Sequence, residues 1–309
     1  MITFFAWIIQ IILVPVLSPL FVGIIRKIKA RFQNRKGASI FQPYRDLRKL
    51  FGKDEVISKD ASWIFKYMPF ILFGTTLIVG LSLPMFTTFL KTNLTGDFLV
   101  VIYLLAFGTF FLALAGIDAG SAFGGFGSSR EMTISALAEG GLIFSMLTLA
   151  IVAHSTNLNQ IAISISSLPL RSFMPIILSF IGFFIALLAE TGRFPFDNPA
   201  THLELTMIHE AMILEYSGKR LAVIEWAAAN KQLIFLALGA NLFFPWGIAN
   251  SLSITAVFAG IIIFLIKLLI LSVSIAVLES GMAKYRFFRL PDLLFTSFII
   301  SVIAIGIII

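Results

Sequence analysis

The chain has 309 residues, 59% of them hydrophobic and 13% charged, with 33 Phe, no Cys and a formal net charge of +7. Soluble domains carry about 25% charged residues, and the mean hydropathy here is +0.99, so the composition excludes a water-soluble protein. The lack of Cys excludes a disulfide framework, a thiolate metal site and a cysteine-held iron–sulfur cluster, and the basic balance is read as positively charged cytoplasmic loops rather than nucleic-acid binding.

A membrane-spanning helix needs about 20 mostly apolar residues. Eight stretches qualify: 3–25, 69–90, 98–118, 132–153, 173–191, 221–245, 253–278 and 291–309. The expected fold is an all-α integral membrane protein, a single transmembrane domain over 1–309. The first stretch has no basic region before it and reads as a retained helix rather than a cleaved signal peptide. Pro15 and Pro19 predict a kink in it. The linker 26–66 is too long for a plain connection, and its basic run suits anionic headgroups or a cytoplasmic partner. The Gly-rich stretch GSAFGGFGSSR, 120–130, lies between two spans rather than after a strand. It reads as a tight loop with close backbone packing, not a dinucleotide site. The loop 154–172 is polar and Ser-rich. Counted over alternate loops, Lys and Arg divide nineteen to two, the two being Lys91 and Arg171. The nineteen-residue side is therefore cytoplasmic, with both termini outside.

The stretch 186–220, ALLAETGRFPFDNPATHLELTMIHEAMILEYSGKR, stands out in this apolar chain. It holds Glu190, Asp197, Glu204, Glu210 and Glu215, with Arg193, His202 and His209. Pro195 and Pro199 break helix, and Asn198 and Thr201 are candidate caps for an amphipathic helix beginning near 201. On that helix Glu204 and Glu215 would share one face, and His202 and His209 another. Other charges fall inside the spans. Glu139 is expected roughly 12 Å in from the cytoplasmic start of the fourth, and Glu225 roughly 6 Å into the sixth. Lys231 and Lys267 fall near the midplane. Glu279 closes the seventh span, Asp118 and Glu131 stand at the two ends of the loop between the third and fourth spans, and that loop holds Arg130.

A charge at the bilayer centre costs a few kcal/mol or more. Two arrangements justify so many: interhelical ion pairs that hold the bundle, or a hydrated path that passes protons or ions between titratable groups. The number and placement of the charges favour the path, through Glu139, Glu190, Glu204, Glu210, Glu215, Glu225, Lys231 and Lys267. HEAMILE lacks the second His of a zinc motif, so no metal is expected. No Ser/His/Asp arrangement is recognisable.

Several segments resemble the NADH dehydrogenase subunit 1 family of complex I. AETGRFPFDNPATHLEL and LEYSG are similar to its loop between the fifth and sixth helices, and FQPYRDLRKLF to its first cytoplasmic loop. LAGIDAGSAFGGFGSSREMTISALAE, DNPATHLELTMIHEAMILEYSGKRLAVIEWAA and RFQNRKG resemble its hydrogenase branch, the branch of formate hydrogenlyase and hydrogenase-4. The resemblance implies a multi-pass subunit of the inner membrane that anchors an energy-converting hydrogenase-like complex. Implied partners are a NiFe hydrogenase-like large subunit, an iron–sulfur small subunit and antiporter-like membrane subunits. The NiFe centre and clusters would lie in those partners, and no cofactor in this chain. Redox events at the docking loop, with Arg130, Glu131, Arg193, Asp197, His202 and His209, would be linked to movement of protons or sodium ions. Ala200 and His202 stand where quinone-reducing relatives have acids, which argues against the alternative, a subunit of a proton-pumping NADH:quinone oxidoreductase. A stand-alone ion-coupled transporter is a further alternative, disfavoured by the large charged linker and loop.

Overall fold

The computed structural model describes residues 2–58, 61–90, 95–169, 173–198, 207–249 and 253–308. Among them, seven helices are long and apolar enough to cross a membrane. They are α1 (Ile2–Phe32), α3 (Trp63–Ser82), α4 (Phe98–Asp118), α5 (Ala122–Ala153), α9 (Gly218–Leu238, continued by a π-helical turn Gly239–Phe243), α10 (Ile254–Gly281) and α11 (Leu290–Ile308). The eighth expected span is α7 (Met174–Glu190), 17 residues or about 25 Å long. Three short helices lie between these: α2 (Gln42–Phe51), α6 (Leu158–Ser166) and α8 (His209–Ile213).

At two prolines inside spanning helices, Pro19 and Pro69, a distant side chain takes up the freed carbonyl. Pro19 has no N–H for the Pro15 carbonyl, and the Trp226 indole on α9 donates to that oxygen at 2.8 Å. Pro69 likewise frees the Phe65 carbonyl, which accepts from the Tyr216 hydroxyl at 2.9 Å. The Tyr216 and Phe65 rings stack with centroids 4.0 Å apart. Burial and the nearby Asp118 carboxylate push the Tyr216 phenol up, so it stays a neutral donor. In both cases the polar group left at the proline is satisfied inside the protein, as a lipid surround requires.

Several boundaries differ from the sequence expectation. The second span starts at Trp63, where Ser62 accepts from the Ile64 N–H at 3.1 Å, and stops at Ser82. Pro84 forces Leu83 extended, so residues 83–90 leave the helix yet stay buried through Leu83, Met85, Phe86 and Leu90. The expected tight loop at 120–130 is the first part of α5, begun by Ser121 at its N-cap. Its glycines serve close packing instead: a Cβ on Gly124 would lie 2.2 Å from the Gly116 carbonyl oxygen of α4. In the loop expected at 154–172, Leu158, Ile161, Ala162 and Ile165 are buried at helical spacing, and they fold as α6.

The amphipathic helix expected to begin near 201 falls partly on residues that are not described. Residues 199–206, with His202 and Glu204, lie outside the described set. Helix α8 has five residues and ends before Glu215. A separate amphipathic helix lies in the linker, as α2.

Helix α7 packs between α5 and α11, and α9 between α1 and α3. Small residues allow the close approach. The Ser297 hydroxyl of α11 donates to the Gly182 carbonyl of α7 at 2.7 Å. A Cβ on Gly182 would meet Ser301 Oγ at 2.3 Å. Glu190, the last residue of this central helix, is thereby held inside the bundle.

Candidate functional site

The site grows from the end of α7. Thr191 and Gly192 finish the helix, with Gly192 at a φ of 59°, the left-handed position that glycine adopts at least cost. The Arg193 N–H reaches back to the Leu188 carbonyl at 2.8 Å and the Gly192 N–H to that of Ala189 at 3.1 Å. This turn sends residues 193–198 under the bundle and leaves Glu190 pointing inward, 8% exposed.

Glu190 pairs with Lys231 of α9 at 2.8 Å and accepts from the Ser135 hydroxyl of α5 at 3.1 Å. The Lys231 ammonium also donates to the Thr109 hydroxyl of α4 at 3.0 Å. Four helices thus meet at one ion pair. A buried ion pair needs such additional hydrogen bonds to offset desolvation.

Two cavities flank the pair. The first, about 360 Å³, is bordered by Glu131, Glu190, Arg193, Asp197, His209, Glu210, Glu225 and Lys231, and on another side by α1 and α2, which bring Arg26 and Asp46. The second, about 340 Å³, is open-sided: it lies between α4 and α5, its mouth on the exposed side chains of Tyr103 and Met132, and is bordered further in by Ser135 and Glu139. Thr109 borders both. The Glu190–Lys231 pair, with Ser135 and Thr109, therefore forms the partition between them.

The turn beneath is fastened by charge. Arg193 pairs with Glu279 of α10 at 3.3 Å and also donates to Gln232 of α9. Lys29 of α1 completes the group on Glu279 at 3.1 Å, and its ammonium sits 4.3 Å over the Phe194 ring. Asp197 pairs with Lys284 at 2.6 Å and accepts from the His209 N–H at 3.2 Å. The Arg130 guanidinium donates to the Met207 carbonyl at 3.1 Å.

The structure thus brings together Glu131, Glu190, Arg193, Asp197, His209, Glu210, Glu225 and Lys231 around one cavity. Glu139 lies in the second. Because α5 starts at Ala122, Glu139 is about 25 Å from the helix start rather than 12 Å. Arg193 is internal, with its side chain 11% exposed, and is a fastening of the loop rather than an outward contact. Glu215 is exposed and borders neither cavity. Lys267 is remote from both cavities: it donates to Asn241 Oδ1 at 3.1 Å and to the Phe244 carbonyl at 2.6 Å, at the end of the π-helical turn of α9. Asp118 accepts from the N–H groups of Ser62 and Phe65 at the start of α3, a capping role.

Sequence reasoning missed Thr109, Ser135 and Gln232. The two hydroxyls are single polar atoms among many in apolar helices and carry no distinguishing signal. Gln232 adjoins Lys231 and could have been flagged as a second polar residue at the same depth. Among the described residues, no group of three or more His, Cys, Asp or Glu is placed to hold a metal ion.

The profile of the NADH dehydrogenase family matches residues 5–309. The chain is 35% identical over 295 residues to hydrogenase-4 component C of Escherichia coli (strain K12), covering 96% of this chain and 92% of that protein. It is 32% identical over 290 residues to formate hydrogenlyase subunit 4 of the same strain, covering 94% of each. Its fold is also that of a chain of the membrane-bound sulfane sulfur reductase, an archaeal respiratory membrane complex. The TM-score is 0.85 at 20% identity, with 99% of each chain covered.

Proposed function

Because the chain belongs to the NADH dehydrogenase family and is similar over nearly its whole length to two hydrogenase-complex subunits, we propose that it is the membrane anchor and coupling subunit of an energy-converting hydrogenase-like complex. It is a multi-pass membrane subunit of an oxidoreductase complex. In this reading it sits in the inner membrane with both termini outside. A peripheral arm, a NiFe hydrogenase-like large subunit with an iron–sulfur small subunit, docks on its cytoplasmic face and carries the redox centres. Antiporter-like subunits flank it in the membrane.

The observation that carries the coupling role is the Glu190–Lys231 partition between two cavities. A proton arriving in the first cavity can rest on Glu131, Glu210 or Glu225. Transfer of the ammonium proton from Lys231 to Glu190 neutralises both members of the pair and removes the attraction that holds the partition shut. Ser135 and Thr109 each bond one member of the pair and line the second cavity, so they supply hydroxyl steps toward Glu139. The fastened turn at 193–198 gives the docked arm a mechanical link to Glu190, which lies three residues before Arg193. A shift of Arg193 against Glu279 would be felt at the end of α7.

The test is Glu190→Gln in the intact complex. Ion movement in proteoliposomes is expected to fall at least tenfold while the subunits still co-purify. Wild-type coupling in this variant would make the pair a packing feature and remove the reading.

A further inference from the structure

The coupling path uses only one side of α2. Advancing about 100° per residue, this helix turns Pro43, Asp46, Leu47 and Leu50 toward the first cavity. Next around the helix come Tyr44 and Phe51. The Tyr44 hydroxyl donates to the Val16 carbonyl of α1, and the Val16 side chain is 49% exposed on that apolar helix. Phe51 meets the Trp226 ring edge-on at 6.1 Å, and Trp226 lies 5.1 Å from Phe73. Tyr and Trp gather where hydrocarbon meets headgroups, so this aromatic row sets the depth of α2 at that level.

Beyond the aromatic row come Arg48 and Arg45, then Lys49, all exposed. The one acid on the helix, Asp46, is turned to the cavity and accepts from Gln42 at 2.8 Å. Among the described residues, none of the five ion pairs involves Arg45, Arg48 or Lys49. A row of aromatics facing the hydrocarbon, with a row of unpaired cations one step round the same helix, is the geometry of an interfacial helix on a charged bilayer. We propose that Arg45, Arg48 and Lys49 bind the headgroups of anionic phospholipids, holding α2 against α1 and α9. The choice of lipid over a soluble subunit rests on depth: the cations adjoin residues tied to the membrane-embedded turn of α1. The exposed loop 33–39 beyond α1 is the part free to meet a soluble protein.

The test does not depend on what the soluble partners are. The full complex is placed in nanodiscs of phosphatidylglycerol and phosphatidylcholine, and retained lipids are counted by native mass spectrometry after partial delipidation. Wild type is expected to enrich phosphatidylglycerol and to lose the enrichment as salt is raised. Each cation near a charged surface is worth about fivefold, so the variant Arg45→Gln/Arg48→Gln/Lys49→Gln should reduce enrichment by up to about a hundredfold at low salt. Arg45→Lys/Arg48→Lys should keep it, and so should Arg31→Gln/Arg35→Gln/Lys36→Gln, which removes equal charge elsewhere. The proposal is overturned if the α2 triple variant enriches like wild type, or if the Arg31 triple variant loses as much. It is also overturned if the α2 triple variant sheds soluble subunits while keeping its lipid. If that variant does not assemble, the salt series on wild type decides: salt-insensitive enrichment overturns the proposal.

Discussion

Replacing Lys231 with Met separates the two things an interhelical charge can do. The Lys231 and Glu190 side chains are 13% and 4% exposed, so solvent screens them little. Losing one partner of such a pair leaves an uncompensated buried charge, which costs about 3–5 kcal/mol. Lys231→Met should therefore lower the thermal midpoint of the detergent-purified complex markedly, or drive Glu190 to take up a proton. The double variant Lys231→Met/Glu190→Gln removes both charges while keeping similar volume, and a buried pair replaced this way is often neutral in stability. It should recover most of the lost midpoint. Recovery of stability must not bring recovery of function: proteoliposomes carrying the double variant should still fail to move ions, because no titratable group remains at the partition. Two results would refute the reasoning. Wild-type ion movement in the double variant would make the pair a strut, and a single variant as stable as wild type would mean that water already screens the pair.

Glu139→Gln should abolish or strongly reduce ion movement with assembly intact, since its carboxyl stands in the second cavity; unchanged transport would end that cavity's part in the path. Glu215→Gln should leave ion movement at wild-type level, because Glu215 is exposed outside both cavities, and a transport defect with full assembly would contradict this. Arg193→Ala should reduce co-purification of the soluble subunits by releasing the turn at 193–198 from Glu279 and Gln232, and full recovery of those subunits in a mild-detergent pull-down would refute it. Trp226→Phe keeps an aromatic ring beside Phe51 and Phe73 but leaves the Pro15 carbonyl without its donor, a loss of about 1–3 kcal/mol to be read as a lower midpoint; no change would mean that water reaches this carbonyl.

The spans are legible because each is a long apolar run, and the lipid requirement leaves helices as the way to satisfy such backbone. Their ends are less so. Pro84, Ser62 and Ser121 each mark a boundary through proline geometry or a side-chain cap, which hydropathy does not register. The Gly-rich stretch 120–130 reads as a loop since glycine weakens isolated helices. Here Gly124 is helical because α5 must approach the Gly116 carbonyl too closely for any side chain. Tertiary packing overrides propensity at that point, and no local signal carries that information.

The site divides along the same line. The acids and lysines can be picked out from the sequence, since a charge in an apolar run is conspicuous, and eight of the candidate residues do converge on one cavity. Their pairing cannot. Glu190 meets Lys231 across 41 residues of chain and Arg193 meets Glu279 across 86, and each match depends on helix rotation to within a fraction of a turn. The two central lysines show the consequence. By depth alone Lys231 and Lys267 are equivalent, and both fall on the expected path. Rotation turns Lys231 onto a carboxylate with a cavity on either side. It turns Lys267 onto Asn241 and the Phe244 carbonyl, where a cation complements the negative end of a helix. A lysine beside a carboxylate can pass its proton on and stay uncharged with its partner. Among the described residues, no ion pair gives Lys267 a carboxylate to receive its proton. Substituting Met at both positions should therefore separate them: ion movement fails at 231, whereas at 267 the loss is stability near the π-helical turn.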